Sequence, residues 1–282
     1  MKTRKATIND IPILKDLWYE NFLEHDSKES IDYYFENNLD IEHTFILEDD
    51  NEVITSLQLN QHQLVIDKKI EEVSFVVGVA TFKKYHRQGY MRILLNDAIE
   101  YVRSTMKQKY IILQAYNWDV YRSFGFVDAY YKQVLVYDID SLKDIEDVML
   151  IDYLPNKMLE QYNEYVENLN GYKKRGLVYF KNIEAMSKVE ELHIALSEKS
   201  YIVYGIDNNK MYVGDCAYSN EIELLKLIKK ELVRLNLEQV QIETDIHHKF
   251  KKESKQKLNM MILNLVDDKL EEKSCLYISE EI

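Results

Sequence analysis

The chain has 282 residues, 49 acidic against 36 basic side chains for a formal charge of −13, and only 7 Gly and 2 Pro. So few punctuating residues exclude collagen-like, linker-rich and low-complexity classes, and 46% hydrophobic residues exclude disorder. The length allows one large domain or two, and the acidic balance opposes nucleic acid and anionic membranes while favouring cationic small molecules.

Cys216 and Cys275 show no C-x-x-C spacing and suit a reducing cytoplasm as free thiols. The basic start MKTRKATIND leads into Asp10 and Pro12 instead of an apolar stretch. No apolar run approaches the ~20 residues that cross a bilayer. A cytoplasmic protein that binds neither membrane nor nucleic acid is expected.

Periodicity predicts helices over 11–24, through Leu14, Leu17, Trp18 and Phe22, and over 30–37. Strands with a period of two follow at 44–47, 53–60 and 63–66, and 71–81 (EEVSFVVGVAT) reads as a strand buried on both faces. A basic turn, 82–88, leads to Gly89. A helix begins there, with Met91, Leu94, Leu95, Ala98, Ile99, Val102 and Met106 on its apolar side. Residues 110–115 are again a buried strand, 121–126 follow a short helical turn, and 133–137 form a further strand.

Beyond 138, helices are predicted at 156–170 and 177–188, with Gly171 placed to stop the first. Strands at 192–197, 201–206 and 210–218, a helix at 221–235 and a strand at 239–244 complete the second half. This order partly repeats the first, which predicts two related folds in tandem, 1–138 and 139–282. The fold class is α/β (α+β), with mixed central sheets flanked by helices.

The stretch VVGVATFKKYHRQGYMRILL, 76–95, carries the chemistry. A buried strand ends in a basic turn, and a helix starts at Gly89. Unpaired N–H groups and the positive end of the helix dipole suit a phosphate or pyrophosphate there. Gly89 lets the backbone approach the anion, while His86, Arg87 and Arg92 supply charge. The competing reading of the same residues is a solvated basic loop.

Gly78-Val79-Ala80-Thr81 followed by Tyr85-His86-Arg87-Gln88-Gly89-Tyr90-Met91 resembles motif A of the GNAT N-acetyltransferases, and Tyr121-Arg122-Ser123-Phe124-Gly125-Phe126 resembles their motif B. Within that superfamily the enhanced intracellular survival (Eis) branch is the most similar. The resemblance covers residues 1–138 well and the remainder loosely. It implies a tandem GNAT-like protein whose first domain is catalytic and whose second is degenerate. Residues 259–266 are similar to the segment where the branch's sterol-carrier-like third domain begins, and that domain is expected to be absent.

Carried over by residue, the resemblance implies acetyl coenzyme A as the acyl donor. Val79 and Thr81 would bond the acetyl carbonyl and pantetheine arm through their backbones. The turn His86, Arg87, Gln88, Gly89, Tyr90, Met91 would hold the pyrophosphate, with Asn117 as a further contact. Gly78 would lie where its strand splays from the next. Tyr121 would protonate the departing thiolate. His86 and Met91 depart from the family's R/Q-x-x-G-x-G/A pattern. The base is left open among Glu71, Glu72 and the carboxylate of Ile282.

The acceptor is expected to be a primary amine, either a small polycation or a protein lysine, and the branch's homo-oligomeric habit is carried over with it. The competing expectation is a non-catalytic acyl-CoA sensor or scaffold. In the second half Ser219-Asn220-Glu221-Ile222-Glu223 replaces the glycine turn, and its acids would repel pyrophosphate, so one cofactor site is expected. His247 and His248 beside Lys249 are read as solvated surface, with no metal site. Tyr33, Tyr34 and Phe35 are divided between an acceptor wall and core.

Overall fold

A computed structural model describes residues 1–279. The N-terminal basic residues form an unforeseen edge strand, β1 (Lys2–Lys5), which pairs antiparallel with β2 (Thr44–Asp49). Helices α1 (Ile11–Phe22) and α2 (Lys28–Asn37) lie between them in sequence, α2 starting where Ser27 Oγ accepts the Ser30 N–H. The two strands expected at 53–60 and 63–66 are one, β3 (Glu52–Ile66), because polar Gln61 to Gln63 keep alternating faces without a turn. It pairs with β4 (Lys69–Thr81) along nearly its whole length.

Helix α3 (Tyr90–Tyr101) ends in a π turn over 102–106 and returns the chain to β5 (Tyr110–Leu113), parallel to β4. Next come α4 (Trp118–Arg122) and β6 (Val127–Asp138), the latter longer than expected. The second half has α5 (Pro155–Val166), β7 (Tyr172–Lys173), α6 (Leu177–Val189), β8 (His193–Leu196), β9 (Ser200–Asp207), β10 (Lys210–Tyr218), α7 (Glu221–Leu235), β11 (Gln239–Asp245) and β12 (Lys255–Asn264).

The strands of both halves join in one mixed twelve-stranded sheet, ordered β1-β2-β3-β4-β5-β12-β6-β11-β10-β9-β8, with β7 against β3. Strand β12 lies between β5 and β6, antiparallel to both. The segment 259–266 therefore does not open a further domain. It supplies Met260, Met261 and Ile262, all fully buried, to the sheet of the first half. Gly171 also differs from expectation. It lies five residues past the end of α5, where an added Cβ would come 2.6 Å from the Tyr130 hydroxyl and 2.8 Å from Leu276.

One face of the first half is covered by α3 and α4, whose apolar side chains pack with Leu57, Leu59, Val76, Ile111 and Leu113. The other face carries α1 and α2 over Ile46, Val53 and Ala80. The strand-helix-strand unit recurs as β4-α3-β5 and β10-α7-β11, the only parallel pairs among the described strands. No helix among the described residues is long and apolar enough to cross a membrane.

Candidate active site

The β4 to β5 ladder runs from Ser74/Ile111 to Val76/Leu113 and stops. Beyond it the two strands part. In the ladder to β3, Val77 pairs with Gln58 and Ala80 with Ser56, so Gly78 and Val79 together face Leu57 in a bulge. Gly78 makes the bulge with φ +58. Their backbone groups thus fall outside both ladders at the point where the cleft opens.

The strand end is pinned rather than free. Thr81 Oγ1 donates to Thr55 Oγ1 at 2.8 Å, and the Thr81 carbonyl accepts from Asn21 Nδ2 at 3.2 Å and from His86 Nε2 at 2.8 Å. Two donors on one carbonyl leave it no lone pair for an added chain, so of the two expected backbone contacts the bulge favours Val79. The His86 ring is likewise turned back to the strand instead of out of the turn. Sequence spacing could not show this, because the ring closes a loop of only five residues.

Arg87 and Gly89 both take left-handed backbone, φ +61 and +86. Gly89 is the N-cap residue of α3, and the first amide of the helix to find a backbone acceptor is that of Arg92, which donates to Gly89 O at 3.1 Å. The amides before it point out of the helix end, the arrangement that binds an anion. His86, Arg87, Gln88 and Gly89 are exposed; Tyr90 and Met91 are half-buried. Gln88 Nε2 donates back to Lys84 O at 3.2 Å, which braces the turn.

Val79, Tyr90, Met91 and Tyr121 all pack against the cluster beneath α3, so the two motifs meet on one apolar wall. Arg92 joins them. Its guanidinium donates to Ser123 Oγ at 3.0 Å and lies 4.6 Å from the Phe124 ring centre. Tyr121 sits on α4, its ring edge-on to Phe126 at 6.0 Å, and burial pushes its hydroxyl up to about 12. The phenol therefore keeps its proton at neutral pH, as an acid needs to. Gly125, at φ +92, ends this short helix. Asn117 is the exposed N-cap residue of α4 and makes no capping bond with its side chain.

Glu71 and Glu72 are not brought to this place. They lie seven to eight residues before Val79, roughly 25 Å away along a strand rising about 3.3 Å per residue. Glu71 pairs with Lys109 at 2.5 Å and Glu72 accepts from Gln63 at 2.7 Å, so both carboxylates are engaged at the far end of the strand. Ile282 lies outside the described residues. Side chains to which the sequence assigned no site role lie against this strand end: Trp18 on α1 and Gln58 on β3 beside Gly78, and Asn21 on the Thr81 carbonyl; the His25 ring stacks on Tyr116 at 4.7 Å. The three-to-four spacing of Trp18, Asn21 and His25 was the available signal.

The second half closes the corresponding gap with its own side chains. Asn220 Oδ1 caps α7 by accepting from Glu223 N at 3.1 Å, with Glu221 and Glu223 in the first turn. Where β10 and β11 part, the fully buried Asp245 carboxylate accepts from the backbone N–H groups of His247 and His248, from His248 Nδ1 and from the Tyr165 hydroxyl. The two histidines are therefore half-buried members of a polar network and not solvated surface. His247 Nε2 also meets Leu276 O at 3.2 Å. Among the described residues no group of three metal-ligating side chains occurs.

Residues 2–128 match the acetyltransferase (GNAT) domain. The fold as a whole matches GNAT acetyltransferase structures. A probable N-acyltransferase from Enterococcus faecalis V583 superposes with a TM-score of 0.79 at 12% identity, over 94% of this chain and 72% of that one. A GCN5-related N-acetyltransferase from Anabaena variabilis gives 0.76 at 13%, over 94% and 73%. Eis1 from Mycobacterium abscessus gives 0.73 at 11%, over 94% and 74%. Identities this low speak for the fold alone. No curated protein matches the chain in sequence.

Proposed function

We propose that the chain is an N-acetyltransferase using acetyl coenzyme A to acetylate a primary amine, with residues 1–138 carrying the catalytic groups and 139–282 lending β12 to their sheet and walling the acceptor side. The observation that carries this is the bulge at Gly78 and Val79, opened by the end of the β4 to β5 ladder and placed against the same apolar wall as Tyr121. The residues fit the donor. The left-handed turn at Arg87 and Gly89 aims unpaired amides outward, and an added Cβ at Gly89 would meet nothing within 4 Å, so the approach is open.

Acetyl coenzyme A supplies an acetyl group activated as a thioester. In this reading the turn His86 to Met91 binds its phosphates through backbone N–H groups, with Arg87 adding charge. Val79 orients the acyl end through its backbone, which the bulge takes out of the ladder's register. Tyr121 holds a proton for the leaving sulfur, and Asn117, whose side chain makes no helix-cap bond, is a further contact to the cofactor. Likeness to the Eis branch in both motifs is what supports that branch. The free thiols of Cys216 and Cys275 support a cytoplasmic site of action.

The test is thiol release from acetyl coenzyme A with a panel of primary amines, comparing the natural chain with Tyr121→Phe. Turnover lost in the variant with acetyl coenzyme A still bound is the expected result. Saturable binding without turnover on any amine would favour the acyl-CoA sensor, and absence of binding would overturn both.

A further inference from the structure

We propose that Gln114 receives the acceptor amine, its side-chain oxygen taking a hydrogen bond from the attacking nitrogen at the point where β4 and β5 part. The inference rests on the acyl-transfer reading of the cleft and names the residue that orients the second substrate.

Gln114 is the first residue past the β4 to β5 ladder, whose last pair is Val76 and Leu113. Side chains alternate between the faces of a strand, which fixes the direction this one takes. Ile111 and Leu113 pack beneath α3, whereas Tyr110 and Ile112 face the opposite cluster with Leu276 and Ile278 of the segment after β12. Gln114 follows Ile112 by two and shares its face, where its Nε2 donates to Asn259 Oδ1 at 3.3 Å. Val79 and Tyr121 pack on the α3 side. The proton donor and Gln114 therefore approach the gap from opposite faces.

The orientation of the Gln114 amide is set from the backbone. Asn259 on β12 is 2% exposed, and its Nδ2 donates at 2.9 Å to the Ile278 carbonyl, which can only accept. That leaves Oδ1 turned to Gln114, so Gln114 must present Nε2 and keeps Oε1 spare. Gln114 is half-buried, and among the described residues its Oε1 is neither hydrogen-bonded nor enclosed. Exposure rises from Leu113 at 1% through half-buried Gln114 and Ala115 to Tyr116 at 73%, so the oxygen is reached from outside along the exit of β5. Helix α1 stands over β4, with Trp18 against Gly78 and Asn21 on Thr81, and the segment after β12 stands over Asn259. The end of β5 runs between them.

Continuing the register sets Gln114 level with Val77, two residues or about 7 Å along the strand from Val79. The glutamine side chain and one N–H···O bond span that distance. An uncharged oxygen orients a neutral amine, the form that attacks a thioester, without holding it as an ammonium. The nitrogen lone pair forms the C–N bond as the C–S bond breaks, and sulfur leaves with its electron pair and takes the Tyr121 proton. The surplus proton on nitrogen passes to water, which also returns one to Tyr121.

The test is steady-state acetylation of spermidine, ethanolamine and a lysine-containing peptide by the natural chain, Gln114→Leu and Gln114→Glu, with the dissociation constant of acetyl coenzyme A measured for each. Gln114→Leu should lower kcat/KM for the amine by about 10-fold, the scale of one lost hydrogen bond, and change acetyl coenzyme A affinity less than ~2-fold. Gln114→Glu, which keeps an accepting oxygen, should recover part of that loss. Unchanged amine kinetics in Gln114→Leu, with or without a lower thermal midpoint, would reduce the residue to a brace for Asn259 and overturn the proposal. So would a loss that Gln114→Glu shares in full. Turnover of none of the three amines by the natural chain would instead overturn the acyl-transfer reading on which it rests.

Discussion

The indole of Trp18 occupies the space a side chain at position 78 would need: an ideal Cβ on Gly78 would lie 2.2 Å from Trp18 Cζ2. The indole cannot yield, since it is stacked on Tyr34 at 4.5 Å and edge-on to Phe22 and Phe35. Gly78→Ala adds this overlap to a left-handed φ. It should destabilise the fold by about 2–4 kcal/mol. Thermal denaturation should show a midpoint lower by roughly 5–10 °C, and an unchanged midpoint would mean that the bulge can relax.

Gly89 separates conformation from space. An added Cβ there meets nothing, yet φ is +86. Gly89→Ala should cost only about 1–2 kcal/mol in urea unfolding, as a single left-handed residue does. Relaxing φ would rotate the neighbouring amides, so affinity for acetyl coenzyme A should fall on the order of 10-fold, or ~1.4 kcal/mol. Calorimetry measures this, and unaltered affinity would remove the turn from the anion site.

Because burial lifts the Tyr121 hydroxyl to about 12, its proton is retained throughout the pH range in which activity is measured. Tyr121→Phe should lower kcat by roughly 100-fold or more, the scale of a positioned general acid. The loss should be uniform from pH 6 to 9. A variant profile missing an alkaline limb present in the natural chain would show that Tyr121 titrates in this window.

Arg92 is spent on the join between motifs rather than turned wholly to the anion, bonding Ser123 and covering Phe124. Arg92→Ala should free α4 and displace Tyr121. We expect kcat to fall about 10-fold, with the dissociation constant of acetyl coenzyme A changed less than ~3-fold. The reverse split would assign Arg92 to phosphate binding.

Asp245 and His248 predict a window of stability. Burial alone would raise the Asp245 carboxyl, but hydrogen bonds from His248 and Tyr165 outweigh it and hold the group at about 2. With an unfolded value near 3.9, its contribution is complete above that value and is lost as pH falls toward 2. The same hydrogen bond raises His248, whose contribution is present below about 6.5 and lost as pH rises through its folded value. The pair should stabilise most between about pH 4 and 6.5. Asp245→Asn should lower the urea midpoint most strongly in that window; a pH-independent loss would point to packing instead.

Much of this molecule was legible before its coordinates. Buried strands such as 71–81 and 110–115 reveal themselves as continuous apolar runs, and α3 and α7 by their period of 3.6. Gly78, Gly89 and Gly125, three of the seven glycines, take positive φ inside the two motifs, because only glycine takes a left-handed turn without cost. Local chemistry of this kind is written in adjacent residues.

What the sequence left open depends on contacts between distant segments. No spacing rule places β12 between β5 and β6, 142 residues after Leu113 for its first residue Lys255, because strand pairing is decided by which apolar faces can be buried together. Nor could it turn His86 toward Thr81 or bring Trp18 and Gln58 against Gly78. Residue order and composition by themselves determined the class of fold and the strand-turn-helix that offers amides to an anion, since both follow from periodicity and backbone preference. Only the tertiary structure decided which side chains face the cleft, because that rests on how α1 packs across β4 and on where β4 leaves β5.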